Sequence, residues 1–148
     1  MPLSSVFDKR SIKLNLESTT KETAFKELIE TIAVVHDELD GDIMLASVQE
    51  REDKLNTSVA SGIAVPHGYY PGTDCIFGAL GISKKGIEYG AFDGKPVHCV
   101  FLIVLGEASR EKHLRVLNRV MSLINSEDAN FLRTAKSAEE IHHVLSRL

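Results

Sequence analysis

The segment VHCVFLIVL, Val97 to Leu105, constrains this chain more than any other. Successive side chains of a strand point to opposite faces of its sheet. A strand can therefore be apolar at nearly every position only if both faces are covered. This run, rich in β-branched residues, predicts a central strand buried between helices. It is the longest apolar run in the chain. It also falls far short of the roughly 18 apolar residues that mark a membrane-spanning helix.

The rest of the chain supplies the covering layers. Thr19 and Glu22 form a capping-box pattern, followed by a helical stripe at Phe25, Leu28, Ile29 and Ile32. Gly41 precedes a second helical stretch, Asp42 to Glu52. Ser109 fits an N-cap for a third helix, with a stripe at His113, Leu117, Val120 and Ile124. A short helix is predicted around Glu127 to Ala135. Ser137 with Glu140 opens a last helix carrying Ile141, Val144, Leu145 and Leu148 on one face. Strands are predicted at Ser11 to Leu16, and at Cys75 to Ile82, where Gly78 and Gly81 weaken the pattern. Ile87 to Phe92 fits a further strand or an edge. Asp93-Gly94 is a turn signal that points to antiparallel pairing. LNTSVASGIAVPHGYYPGTD reads as loops around one short apolar piece, Ile63 to Val65. The fold class that follows is α/β, a mixed sheet flanked by helices on both faces.

Composition sets the outer bounds. The 148 residues fit one domain with a substantial core. A net charge of −4 gives no reason to expect nucleic acid or an anionic membrane as partner. The first residues, MPLSSVFDKRS, lack the basic start and apolar run of a secretory signal. Cys75 and Cys99 lie in apolar stretches outside any CxxC pair, and both read as reduced, buried thiols of a cytoplasmic protein. No two histidines sit four apart on one element, which argues against a zinc site. The glycine-rich fragments lack the Lys-Ser/Thr of a P-loop. His36, His98, His142 and His143 read as structural.

His67, in SGIAVPHGYY, stands apart. Pro66 fixes its own φ and biases Val65 toward an extended backbone. Gly68 removes a side chain beside the imidazole, so another backbone can approach closely. These neighbours would hold the ring rigidly at the end of a strand. A histidine with a pKa of about 6.5 has a large neutral fraction at pH 7, and a neutral ring nitrogen can attack phosphorus and form a covalent intermediate. The other nitrogen then needs an acceptor, which the sequence does not identify. The same residue also fits a turn histidine that caps a carbonyl. Positive charge for an arriving phosphoryl group could come from Arg51 or His113. Arg51 equally fits a solvated cation at a helix C-terminus. His113 lies in a helix's first turn, where N–H groups attract anions, but it falls on the apolar stripe and equally fits a satisfied core histidine.

Taken together, Arg51-Glu52-Asp53, Thr57, SGIAVPHG, FDGKPVHCVFLIVL and KHLRVLNRV resemble the Enzyme IIA family of the bacterial phosphoenolpyruvate-dependent phosphotransferase system, in its fructose/mannitol and nitrogen-regulatory type. The resemblance runs in order from about Ser11 to Leu148. It implies a mixed, roughly five-stranded sheet flanked by helices. It implies that His67 is the phosphorylated nucleophile, with Nε2 as the favoured nitrogen. It further implies that His113 assists, that Arg51 stabilises the phosphoryl group, and that Thr57 is a weaker site residue. No metal or organic cofactor enters such a histidine-to-histidine transfer. The chain departs from the family in Ser58-Val59-Ala60-Ser61-Gly62, where Ser58 and Ala60 stand at positions often held by glycine.

The implied donor is the small phosphocarrier HPr or a relative. Two fates for the phosphoryl group follow. A standalone, nitrogen-type regulatory protein would use it as a switch on its binding to a regulated protein. A sugar-transport protein would pass it to a separate Enzyme IIB of a fructose/mannitol-type permease. A standalone chain of this length fits both, with a lean toward regulation. A third reading, suggested by the altered loop alone, is a degenerate member that binds partners without being phosphorylated.

Overall fold

The computed structural model describes residues 2–107 and 110–148. Val97–Leu105 is strand β6, and the sheet is built around it. The sheet holds six strands: β1 (Ile12–Lys13), β2 (Ser58–Ala60), β3 (Ile63–Ala64), β4 (His67–Tyr69), β5 (Ile76–Ile87) and β6. β5 runs antiparallel along one side of β6, from Ile76 opposite Leu105 to Ile87 opposite Val97. The other side of β6 is shared. β3 pairs in parallel with Cys99 and Val100, and β4 pairs in parallel with Ile103 to Leu105. β1 lies parallel to β5 at one edge, and β2 lies antiparallel to β3 at the other. The mixed sheet expected from the sequence is present, with six strands where five were expected.

Alternation along β6 divides the interior. Cys99, Phe101, Ile103 and Leu105 enter one core with Val116, Val120, Leu123, Leu132, Ile141, Val144 and Leu145. These come from α3 (Arg110–Ile124), α4 (Asp128–Thr134) and α5 (Ala138–Ser146). Val100, Leu102 and Val104 enter the other core, against α1 (Lys21–Val35) and α2 (Gly41–Lys54). Both faces of β6 are therefore covered, as its composition demands. The stripe Phe25, Leu28, Ile29 and Ile32 is buried in full. At α5, Ser137 and Glu140 close a reciprocal capping box.

Several local expectations are corrected. α1 is capped by Thr20, whose hydroxyl accepts from the Thr23 N–H; Thr19 does not cap it. The cause is an extended link. The Thr19 carbonyl accepts from the Glu88 N–H at 2.7 Å, so the helix starts only beyond it. Ile87 to Phe92 is no separate strand, because Ile87 ends β5 and Glu88 makes a lone bridge to Thr20. Of Ser11 to Leu16, only Ile12–Lys13 is strand; Ser11 closes a 3₁₀ turn, Lys9–Ser11. Gly78 and Gly81 do not interrupt β5: a Cβ on either would strike Phe7 or Leu16. Cys99 is buried but Cys75 is exposed, since it lies in the irregular segment just ahead of β5. The N-cap expected at Ser109 lies outside the described residues. No described helix is long and apolar enough to cross a membrane.

Candidate active site

The segment expected to be mostly loop carries three short strands, and His67 opens the third. β3 and β4 are only two and three residues long, with Val65 and Pro66 between them. Backbone bonds hold this link on both sides. The Val65 N–H donates to the Thr57 carbonyl at 3.0 Å, and the Pro66 carbonyl accepts from the Ile103 N–H at 3.0 Å. Proline's fixed φ adds to that rigidity.

Gly68 points the opposite way from His67, because strand neighbours alternate. A Cβ on Gly68 would fall 2.7 Å from the Val48 nitrogen and 2.9 Å from the Ser47 hydroxyl oxygen. The backbone that approaches Gly68 is thus that of α2. The Ser47 hydroxyl also accepts from the Tyr69 N–H at 2.6 Å. With Gly68 on the α2 side, His67 and Tyr69 face the α3 side of the sheet.

The half-buried His67 ring has a defined tautomer. Its Nδ1 lies 3.0 Å from the Val65 carbonyl oxygen. A carbonyl only accepts, so Nδ1 carries the proton and the lone pair of the neutral ring is on Nε2. This carbonyl is the orienting acceptor that the sequence left unidentified. Burial pushes the His67 pKa below its ordinary 6.5, and the Arg51 charge pushes the same way; the Val65 bond and the Glu52 charge oppose them. The ring is therefore neutral at pH 7, with its nucleophilic nitrogen available.

The other expected residues take different positions. His113 lies half-buried in the first turn of α3, and its Nε2–H donates to the Gly106 carbonyl at 2.9 Å. Its ring centroid is 6.0 Å from that of Tyr69. Because Tyr69 and His67 share a strand face, this contact places His113 on the same face of the sheet as His67. Arg51 donates from Nη1 to the Leu55 carbonyl at 3.0 Å, which is the helix-end role considered from sequence. Its charge nonetheless acts on His67. Thr57 is buried behind the site, with 6% of its surface exposed.

Thr57 belongs to a polar cluster that sequence reasoning missed. Its N–H donates to Glu52 Oε2 at 3.0 Å, and its hydroxyl donates to Glu52 Oε1 at 2.5 Å. The Tyr89 hydroxyl lies 2.7 Å from the Thr57 hydroxyl and 3.1 Å from Glu52 Oε1. Lys21 Nζ approaches Glu52 Oε2 at 3.7 Å and sits 5.3 Å above the Tyr89 ring centre. Burial, foremost, drives the Tyr89 phenol far above its ordinary pKa of 10.0, so it stays protonated and can donate. No local pattern announces this cluster, because Glu52 and Tyr89 are 37 positions apart.

Residues 5–148 match the family described as phosphoenolpyruvate-dependent sugar phosphotransferase system, EIIA 2. The chain belongs to the EIIA 2 family. It is 31% identical over 147 residues to a nitrogen regulatory protein of Bradyrhizobium diazoefficiens, covering 99% of this chain and 95% of that one. It is 30% identical to the fructose-specific EIIABC component of Bacillus subtilis, again over 99% of this chain, but spans only 23% of that longer protein. Among solved structures, the nitrogen regulatory protein IIA-Ntr of Neisseria meningitidis superposes with a TM-score of 0.88 at 26% identity, covering 97% of this chain and 98% of that one. The IIA mannitol protein of Escherichia coli shares the fold, with a TM-score of 0.68 at 20% identity over 92% of this chain and 96% of that one. EIIA 2 chains are components of a phosphotransferase system, and the residues around His67 can be read in that light.

Of the remaining histidines, His36, His98 and His142 make structural contacts, and His143 is exposed. His36 stacks edge-on against Phe77 at 4.6 Å. His98 Nδ1 meets the Ser83 carbonyl at 2.8 Å, and His142 Nε2 meets the Ser4 carbonyl at 3.3 Å. Among the described residues, no group of three or more His, Cys, Asp or Glu side chains is placed to hold a metal ion.

Proposed function

We propose that this protein is a phosphocarrier whose His67 accepts a phosphoryl group from the phosphohistidine of an HPr-like protein. The observation that carries the reading is the 3.0 Å contact between His67 Nδ1 and the Val65 carbonyl, which leaves the Nε2 lone pair as nucleophile. Nε2 attacks the phosphorus in line. The N–P bond to the donor breaks as the new one forms, and its electron pair returns to the donor imidazole. His67 keeps its Nδ1 proton. The phosphorylated ring gains cationic character, so the bond to the Val65 carbonyl strengthens as the reaction proceeds. Arg51 and His113 meet the charge of the phosphoryl oxygens.

The role that best fits is that of a nitrogen-type regulatory protein, acting in the cytoplasm, whose binding to a regulated protein depends on the phosphoryl group. The specific support is likeness to IIA-Ntr at a TM-score of 0.88, against 0.68 and 0.74 for two structures of IIA mannitol. Incubation with phosphoenolpyruvate, Enzyme I and HPr tests the central step. One acid-labile, base-stable adduct is expected, absent in His67→Ala; labelling that survives this substitution overturns the assignment. Transfer from the labelled protein to a purified fructose- or mannitol-type Enzyme IIB would favour the sugar-transport role instead.

A further inference from the structure

Glu52, Thr57 and Tyr89 lie behind His67, yet hydrogen bonds linked through the backbone of Thr57 and Val65 join them to it. The Glu52 carboxylate accepts from the Thr57 N–H and hydroxyl. The Thr57 carbonyl accepts from the Val65 N–H. The Val65 carbonyl then accepts from His67 Nδ1. Each link is at most 3.0 Å, and the two members nearest the carboxylate, Glu52 and Thr57, are both buried.

The arrangement answers a chemical need. An unconstrained neutral histidine prefers its proton on Nε2, the nitrogen that must attack here. The protein has to enforce the other tautomer. A carbonyl at the right distance does so only if its peptide cannot rotate, and the Val65 carbonyl belongs to the Val65–Pro66 peptide, which has no N–H of its own, so its orientation depends on how the flanking backbone is held. On the near side it is held by the Val65 N–H, which donates to the Thr57 carbonyl, and the backbone of Thr57 is in turn fixed at its N–H by Glu52. Tyr89 and Lys21 steady the carboxylate from the far side. Polar groups this deeply buried are costly unless paired, so a cluster this complete has one geometry.

We infer that Glu52, Thr57 and Tyr89 are positioning residues that fix the Val65 carbonyl and thereby hold the proton of His67 on Nδ1. None of the three touches the phosphoryl group. Their importance to transfer rests on the phosphocarrier reading; their effect on the tautomer does not.

The test uses the unphosphorylated protein first. Nitrogen NMR of the His67 ring distinguishes the tautomers directly. The parent should show Nδ1–H as the main form. Thr57→Val removes the hydroxyl at nearly constant volume and should shift the ring toward Nε2–H, with Thr57→Ser restoring the parent pattern. Tyr89→Phe, which spares both Glu52–Thr57 bonds, should give a smaller shift in the same direction and serves if Thr57→Val does not fold. Phosphoryl acceptance from HPr should fall about 10- to 100-fold in Thr57→Val and recover in Thr57→Ser. A folded Thr57→Val or Tyr89→Phe with the parent's tautomer signature overturns the inference. A parent that shows Nδ1–H but takes no phosphoryl group would overturn the phosphocarrier reading and leave the positioning role standing.

Discussion

A Cβ placed on Gly68 would sit 2.7 Å from the backbone nitrogen of Val48, closer than such atoms approach. The neighbour is helix backbone, which cannot rotate away as a side chain can. Gly68→Ala must therefore push α2 off β4 or displace β4 from β6. Overpacking of this kind costs about 1–3 kcal/mol. Urea unfolding of Gly68→Ala should show a lower midpoint with an unchanged slope. Because His67 is the next residue, phosphoryl acceptance should fall as well. A variant as stable and as active as the parent would mean that α2 does not pack rigidly on this strand.

His67 gives the site a definite pH dependence. Its pKa in the folded protein lies below the ordinary 6.5, chiefly through burial. Between those two values the unfolded chain binds more protons than the folded one, so stability rises with pH there. The contribution is fully present above 6.5 and is lost as pH falls through the folded value. Acceptance of phosphate should follow the same neutral form: flat near pH 7, declining with a midpoint below 6.5. Removing the Arg51 charge, as in Arg51→Gln, should move that midpoint upward. NMR titration of the ring in both proteins checks this, and an unmoved or lowered midpoint in Arg51→Gln would remove Arg51 from the site's electrostatics.

His113 should matter more for delivery than for receipt. Its Nε2–H is committed to Gly106, and its ring stands against Tyr69 on the His67 side of the sheet. It has no part in fixing the His67 tautomer, which the Val65 carbonyl does. His113→Ala should still accept a phosphoryl group, but pass it onward about 10- to 100-fold more slowly. Rapid-quench measurement of the two half-reactions separates them. Complete loss of acceptance would assign His113 to the first step.

The outcome for sequence reasoning divides along the range of the interactions. The composition of β6 already implied two covered faces, and the spacing of Phe25, Leu28, Ile29 and Ile32 marked the buried side of α1. Both signals are local. The Pro66-His67-Gly68 triplet likewise suggested a rigid ring with a backbone packed beside it, and α2 supplies that backbone. What stayed hidden depends on contacts made across the fold. β3 and β4 are strands only because β6 pairs with them; two or three residues carry no periodicity of their own. The orienting acceptor of His67 is a main-chain carbonyl, a group every residue has. Thr57 drew notice as a site residue, but its working partners, Glu52 and Tyr89, meet it only after the sheet is formed. Cys75 borders an apolar stretch yet is exposed, because it lies in the irregular segment before β5 and not in the strand itself.

The loop that departs from the family's glycine-rich habit yields the last prediction. β2 and β3 are joined by two residues, Ser61 and Gly62, with Ala60 opposite Ile63. Their φ values are 49° and 82°, the left-handed pair that a tight hairpin of this length requires. Glycine meets that demand freely, but serine in this region carries a penalty of roughly 1 kcal/mol. The turn holds its strained geometry because the Gly62 carbonyl accepts from both His98 and Cys99 N–H, at 2.7 and 3.1 Å, which ties it to the start of β6. Asparagine tolerates the left-handed region better than serine and is favoured at this turn position. Ser61→Asn should therefore stabilise the protein by about 0.5–1 kcal/mol, a rise in Tm of about 1–4 °C. Ser61→Val should lower it, since a β-branched residue fits this backbone worst. Neither change reaches His67, so phosphoryl acceptance by the folded variants should equal that of the parent. Calorimetry on the three proteins decides the matter: equal stability of the asparagine, serine and valine forms would mean that the turn stores no strain.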